Sequence, residues 1–419
     1  MKRYLAGLAL AMAVPALAGA QPAQDQSAAQ WRNVTAETGQ ISDIEGLLAL
    51  AEAFPDSGSV RLRLLNAQLG AQDFDALIET LVWLQQRGYL FSEGAQSQLP
   101  ELVGDEHKDA VRAALIEQGE VIEASEPIAA VPAEAGLIEG VFAQADDAVM
   151  VATSVTGRSI HIFVPEDGWT AIAIPGASDL SGIVGEPDKS MGWAASANLD
   201  GSPDEPALFT GLMGLRGDFQ NPIRVPAPQD ARAVSDLTIG PDATVYASDP
   251  LGGGIYRKPV GATELETLVA PGTFRSPQGL ALSEDGGRLY VSDYRYGIAI
   301  VDLASGKVSR LSSEVPALLD GVDGLWRHGN RLIAMQNGTS PMRISAWTLS
   351  EDGSSVVAAQ ILEQMHPEWT EPLGGSIAGD ALVYVATGQW DRFDKGESVE
   401  GKPAIPTQIR RLPLGEIQD

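Results

Sequence analysis

Two hydrophobic rhythms divide the chain. From Ser42 to about Gln118, apolar residues recur every three or four positions, the spacing of one face of a helix. From Ile138 onward they fall in short alternating runs broken by Gly, Asp and Asn, the pattern of half-buried strands joined by tight turns. The clearest of the second kind runs from Ser276 to Arg310. Gly279–Leu282 is an apolar run, and Ser283–Gly287 is a turn, because Asp-Gly and Gly-Gly supply the positive φ a hairpin needs. Arg288–Val291 is the second strand, Gly297–Asp302 the third, and a turn at Ala304–Lys307 leads into a fourth at Val308.

A four-stranded unit of this kind cannot cover both its faces, so copies are expected. They begin at Ser235, Val322 and Leu373, with two degraded ones at Ile138 and Ser181. The equivalent positions are Gly140, Gly182, Asp236, Gly279, Gly324 and Gly374, about 47 residues apart, as in propeller blades. The pattern predicts a mainly β protein: a six-bladed β-propeller over 137–417, preceded by a small α-helical domain.

The helical domain spans 41–119. Ser42-Asp-Ile-Glu45 reads as a capping box before Leu47, Leu50 and Phe54. A second helix covers Val60–Leu69, and Asp73 caps a third that carries Leu77, Leu81 and Leu84 and ends at Gly88. Shorter helices follow near Gln96–Val103 and Glu106–Gln118. The second and third resemble a tetratricopeptide-type hairpin, which either packs as a capping domain or offers a groove to a protein partner. Residues 120–136, with two prolines and several alanines, read as a linker, or else Glu120–Ala124 supplies a strand that completes the last blade.

Residues 1–20 have the form of a signal peptide: Lys2 and Arg3, an apolar Leu5–Val14, and Ala18-Gly-Ala20 before Gln21. Residues 21–40 read as a flexible leader. Together these predict an exported protein, periplasmic or secreted, with no membrane insertion. The net charge of −28 argues against nucleic acid and anionic membranes as partners and is compatible with cation binding or with simple solubility. There is no cysteine, which excludes disulfides, thiolate metal sites and a catalytic thiol.

In a propeller, the residues before the inner strands and those after the second strands surround one channel mouth. The first group is Glu139, Ser181, Ser235, Gln278, Asp323 and Leu373; the second includes Asp249, Asp293, Tyr294, Asn337, Gln389 and Trp390. Carboxylates and amides meeting there would suit Ca²⁺ or Mg²⁺. The Ser-Asp endings at Asp249 and Asp293 read equally as turn caps. Tyr294 and Trp390 would stack on a ligand or wall the channel. His107 and His161 read as structural and His328 as a surface residue. His366 is expected near the mouth, as a base, a ligand contact or a packed loop residue. Asp200–Pro206 suggests an inserted acidic loop or a solvated turn. No Ser-His-Asp set and no phosphate-binding glycine loop is present.

The blades resemble the SMP-30/gluconolactonase family of six-bladed propellers, with NHL-like repeats, over roughly 137–417. The stretches Asp320–Leu325, Gln336–Gly338, His366-Pro367, Glu371–Gly374 and Gln389–Phe393 are similar to an uncharacterised bacterial branch of it. The resemblance implies a divalent metal, Ca²⁺ first, held by Glu139 of Ile138-Glu-Gly140, by Gln278 where the family has Asn, and by Asp323 of Val322-Asp-Gly324. Asp323 would also act as base on metal-activated water in opening a lactone or ester. The rival expectation is a non-catalytic module that binds a protein or glycan through the propeller or the helical hairpin.

Overall fold

The computed structural model describes residues 30–415 apart from 117, 145–148, 187–190, 200–208 and 218. The signal peptide, the leader up to residue 29, the acidic loop 200–206 and the last two residues assigned to the propeller lie outside the described residues.

Six sheets form six blades, each running from an inner strand outward, with antiparallel pairing throughout except for the short edge strand Ser312–Ser313, which adds in parallel to the fifth. In the first, the strands are Ile138–Ala143, Met150–Ser154, Ser159–Val164 and Gly168–Ala173. The fourth blade keeps the expected order, with Pro277–Leu282, Arg288–Asp293, Gly297–Asp302 and Val308–Arg310. Its first turn places Gly286 at φ +66° and its last places Gly306 at +71°, the left-handed region that favours glycine. Strand Asp179–Gly185 opens the irregular second blade. The inner strands crowd together around the axis. A Cβ on Gly140 would sit 2.9 Å from the Ser181 carbonyl oxygen, and one on Gly374 would sit 2.8 Å from that of Glu139, so the repeated glycine is a packing requirement. Apolar side chains between neighbouring blades form the core, as where Val141, Met150 and Ala152 meet Val383, Val385 and Ile409.

The sixth blade takes its outermost strand from before the first. Glu126–Val131 pairs antiparallel with Thr407–Pro413, which continues to Ala381–Val385 and Gly375–Ala378. Residues 120–136 are therefore not a linker. The closing strand lies a few residues beyond Glu120–Ala124, and within that stretch Ile122 bridges Gln364 of the fifth blade. A buried clasp secures it. Glu363, fully buried, accepts from the Ala124 and Ser125 N–H groups at 3.1 and 3.0 Å, from the Ser125 hydroxyl at 2.7 Å and from Tyr384 Oη at 2.7 Å. Arg410 adds bonds to the Ser125 carbonyl and hydroxyl at 2.8 Å.

The helices are Ala36–Gln40, Ile44–Ala53, Gly58–Ala71, Phe74–Gln85, Glu93–Leu102 and Lys108–Ala113. The helix Ile44–Ala53 is capped by Asp43, which accepts from Gly46 N–H at 2.8 Å, rather than by Ser42. The domain has its own core of Leu65, Leu77, Leu81, Leu84 and Val111, and it also packs on the propeller. Residues 30–40 are not a free leader. Trp31 and Val34 are buried, and Trp31 lies 5.1 Å from Phe54 and 5.4 Å from Phe274, while Phe54 lies 5.0 Å from Tyr296. Asp320 of the propeller accepts from the Gly58 and Ser59 N–H groups at 2.9 and 2.7 Å, satisfying orphan donors at the N-terminus of the helix Gly58–Ala71. Among the described residues no helix is long and apolar enough to cross a membrane.

Removing the clasp should loosen the ring. Glu363→Ala leaves four donors without their acceptor and is expected to cost about 3 kcal/mol. Chemical denaturation of the two proteins side by side measures it; an unchanged midpoint would show that the clasp does not hold the closure.

Candidate functional site

The inner strands carry Glu139 and Asp323 to the same end of the channel, and two further carboxylates join them. Burial raises the Glu139 pKa well above the usual range, and Asp323, Asp236 and Glu371 raise it further. Burial does the same to Asp323, reinforced by Asp236 and Glu371. The Asp236 carboxyl is pushed up to about 7 by burial, and Glu371 is raised by burial and then by Asp391. Among the described residues, no basic side chain is among the main groups acting on any of the four. A cavity of about 20 Å³, room for a single water-sized guest, runs down the axis between Glu139, Asp236 and the glycines.

The neighbours of these carboxylates are polar and ordered. Trp390 donates its indole N–H to Glu139 Oε2 at 2.7 Å. Tyr294 donates its hydroxyl to Asn337 Oδ1 at 2.8 Å, and Asn337 donates to the Pro372 carbonyl at 3.1 Å. Asn337 also hydrogen-bonds Asp323 and holds its pKa down, against the burial that raises it. Burial, followed by Asp323 and Glu371, raises the pKa of the Tyr294 phenol. A larger cavity of about 330 Å³ lies beside this group, between Ser59, Leu62 and Tyr89 of the helical domain and Tyr294, Arg295, Asn337 and Ser340 of the propeller. That is the size of a small-ligand pocket.

Tyr294, Asn337 and Trp390 thus join Glu139 and Asp323. Gln278 stands half-buried at the head of its inner strand and donates to the Ser276 hydroxyl at 3.2 Å. Three expected residues do other work. Asp293 is 1% exposed and accepts from the Arg275 and Ser276 N–H groups; it caps a loop, as Asp249 does for Arg232 and Ala233. Burial pushes its carboxyl up to about 6 against those bonds. Gln389 is fully buried and bonds both ways with Ile405, holding a loop. His366 is buried too. Its Nδ1 accepts from Glu368 N–H at 3.2 Å and its Nε2 lies 3.9 Å from Glu363, so the ring faces the closing clasp instead of the carboxylates. His328, expected at the surface, is 4% exposed and sits beside Arg331 and Asp380.

The sequence reasoning missed Asp236 and Glu371. For Asp236 a signal existed: it is the one residue other than glycine in the repeated column of the inner strands. Glu371 comes from the loop before the last blade, where only packing decides its neighbours. The donor set, four carboxylates with the Asn337 amide, suits a hard divalent cation. Among the described residues no three His, Cys, Asp or Glu side chains converge closely enough to hold one as they stand, so chelation requires them to turn toward the axis.

No protein-family model matches the chain, and no curated protein matches it. Solved structures resemble it at a distance. A gluconolactonase from Xanthomonas campestris is 16% identical with a TM-score of 0.45, covering 71% of this chain and 100% of its own. A calcium-binding regucalcin from Agrobacterium tumefaciens is 15% identical with a TM-score of 0.48, covering 71% and 98%. A virginiamycin B lyase from Staphylococcus aureus is 14% identical with a TM-score of 0.45, covering 66% and 80%. The six blades are those of the chain's own sheets, and propellers of the SMP-30/gluconolactonase type resemble them only distantly.

The four raised carboxyls give the apo protein a defined pH response. Each has a folded pKa above the unfolded value of about 4, so its stabilising share is complete below about pH 4 and is lost as pH rises through the folded pKa. For Asp236 that loss runs from about pH 4 and is complete by about pH 7. Asp56 and Asp293, both pushed up to about 6, act with the same sign elsewhere. Melting temperatures across pH 5–8 should therefore fall less steeply in Asp236→Asn than in wild type. Identical slopes would show that Asp236 carries no such strain.

Proposed function

We propose that the propeller mouth binds a divalent cation, Ca²⁺ first, together with a small polar ligand, and that the chemistry this arrangement suits is the opening of a lactone or related ester. The observation that carries the reading is the gathering of Glu139, Asp236, Asp323 and Glu371 with no basic group, among the described residues, as a main influence on them. Carboxylates buried together without a counter-charge are costly, and a bound cation removes the cost.

The cation would polarise a carbonyl and lower the pKa of bound water. The chain's own residues supply the rest. Trp390 fixes the rotation of Glu139. Asn337 and Tyr294 orient Asp323, the carboxyl suited to accept a proton once a positive charge beside it has drawn its pKa down. Ser59, Tyr89 and Arg295, around the larger cavity, would meet the ligand's polar groups. Export, the expectation from residues 1–20, would expose such a site to extracellular calcium.

A non-catalytic binding module is the second reading, with a small ligand at the mouth or a protein or glycan held through the helical hairpin or the propeller. It is favoured by the open spacing of the carboxylates and by Gln278, whose side chain is one methylene longer than the Asn the resemblance would place there.

Calorimetric titration of Ca²⁺ into chelator-treated protein is expected to give one saturable site. Asp323→Asn should abolish it and Asp236→Asn should weaken it by about tenfold or more. Because protons compete for the same carboxylates, affinity should rise from pH 5 to pH 8. Turnover of simple lactones only with added cation would establish the enzyme. Silence toward millimolar Ca²⁺, Mg²⁺, Mn²⁺ and Zn²⁺ alike would leave the binding module.

A further inference from the structure

A second charged cluster, of opposite sign, lies where the helical domain meets the fifth blade. A cleft of about 210 Å³ opens there between Arg87 and Gly88 of the helical domain and Leu318, Gln336, Arg343 and Ile361 of the blade. Arg343 is only 4% exposed. Its guanidinium makes long bonds to the Arg87 carbonyl at 3.3 Å and the Thr339 hydroxyl at 3.4 Å, and its Nε has no partner. Arg87 stacks on Trp83 at 3.9 Å and donates to the Trp83 carbonyl at 3.3 Å, again with Nε unpartnered. Arg61 lies over the same ring at 4.8 Å.

Carboxylates do not balance these guanidiniums. Asp56 pairs with Arg310 at 3.7 Å, and its influence is spread over Arg87 and Arg61 as well. Asp320, the acid whose field reaches Arg343, is already committed to the Gly58 and Ser59 N–H groups. Neither Arg87 nor Arg343 has a carboxylate oxygen within 4.0 Å among the described ion pairs. Burial lowers the pKa of all four arginines, Arg343 to about 10, as expected of cations short of counter-charge. Gly88, at φ +68°, keeps the cleft clear: a Cβ there would lie 3.3 Å from the Arg343 guanidinium.

We propose that this cleft binds a small organic molecule through an oxyanion head, a carboxylate or a phosphate, held by Arg343 and Arg87. Arginine's planar fork matches both head groups, and a buried guanidinium short of acceptors gains most from one. Pro316, Leu318, Trp347 and Ile361 among the cleft's lining residues suit an apolar body on the ligand. The cluster works against the field of a chain with net charge −28, so the attraction is local. The cleft shares no lining residue with the two mouth cavities, and the inference stands apart from the cation reading.

The test uses the full chain, with sodium sulfate, phosphate and succinate titrated against sodium chloride at equal ionic strength. Binding is followed by calorimetry and by tryptophan fluorescence, since Trp83 and Trp347 flank the cleft. At least one oxyanion should bind saturably where chloride does not, and Arg343→Gln and Arg87→Gln should each weaken it by about tenfold or more. Tighter phosphate or sulfate would assign the head as tetrahedral, tighter succinate as carboxylate. If Arg343→Gln fails to fold, Arg87→Gln on the more open side of the cleft carries the same comparison. No saturable signal from any of the three, or a signal unchanged in the variants, overturns the proposal.

Discussion

Ring closure is the constraint on which everything else in this protein depends. Five blades are built from consecutive strands, but the sixth borrows Glu126–Val131 from ahead of the first. Without that strand the ladder of Thr407–Pro413 ends as an open edge, and the first and sixth blades lose the surface they bury together. The Glu363, Ser125, Tyr384 and Arg410 bonds show how firmly the junction is made: Glu363, Tyr384 and Arg410 are buried, Ser125 is half-buried, and all four are partnered. Closure also decides where the helices go. The chain enters the ring past Ile122, which bridges Gln364, so the preceding residues are delivered to the rim of the fifth blade.

From that rim the helical domain reaches over the fourth and fifth blades and becomes part of the propeller's working face. Asp320 does the docking. A propeller loop supplies the carboxylate that the helix Gly58–Ala71 needs at its N-terminus, and the aromatic contacts of Trp31, Phe54 and Tyr296 seal the side. As a result Ser59, Leu62 and Tyr89 form one wall of the cavity beside the acidic mouth. The same docking buries Arg343 and half-buries Arg61, Arg87 and Arg310 around it. The molecule thus sorts its charge: carboxylates without cations gather on the axis, and guanidiniums short of carboxylates gather at the domain junction. Neither arrangement stabilises the empty protein, which is why both read as places for a guest.

Much of the site was legible from the repeat. Once the inner strands were aligned, Glu139 and Asp323 fell at the head of their strands and Tyr294, Asn337 and Trp390 on the turns that return to the same face. The failures share a cause. Asp293, Gln389 and His366 occupy the expected positions along the chain, but their side chains turn into loops and into the clasp, where buried N–H groups and carbonyls need them. Residue type and spacing do not say which unsatisfied backbone group lies within reach. Glu371 comes from a loop with no periodic signal, and the arginines stand on separate elements whose periodicity says nothing of which side chains they meet across the domain junction.

The sequence alone determined most of the secondary structure, the count of blades and the separation into helical and β parts. Those follow from hydrophobic period and turn chemistry, which are local properties. The tertiary structure alone decided the exact closing strand, the packing of Trp31 and its neighbours on the fourth blade, and the partners of each buried charge. These depend on contacts between residues tens to hundreds of positions apart, and their energies come from burial and from the satisfaction of polar groups that only the assembled ring brings together.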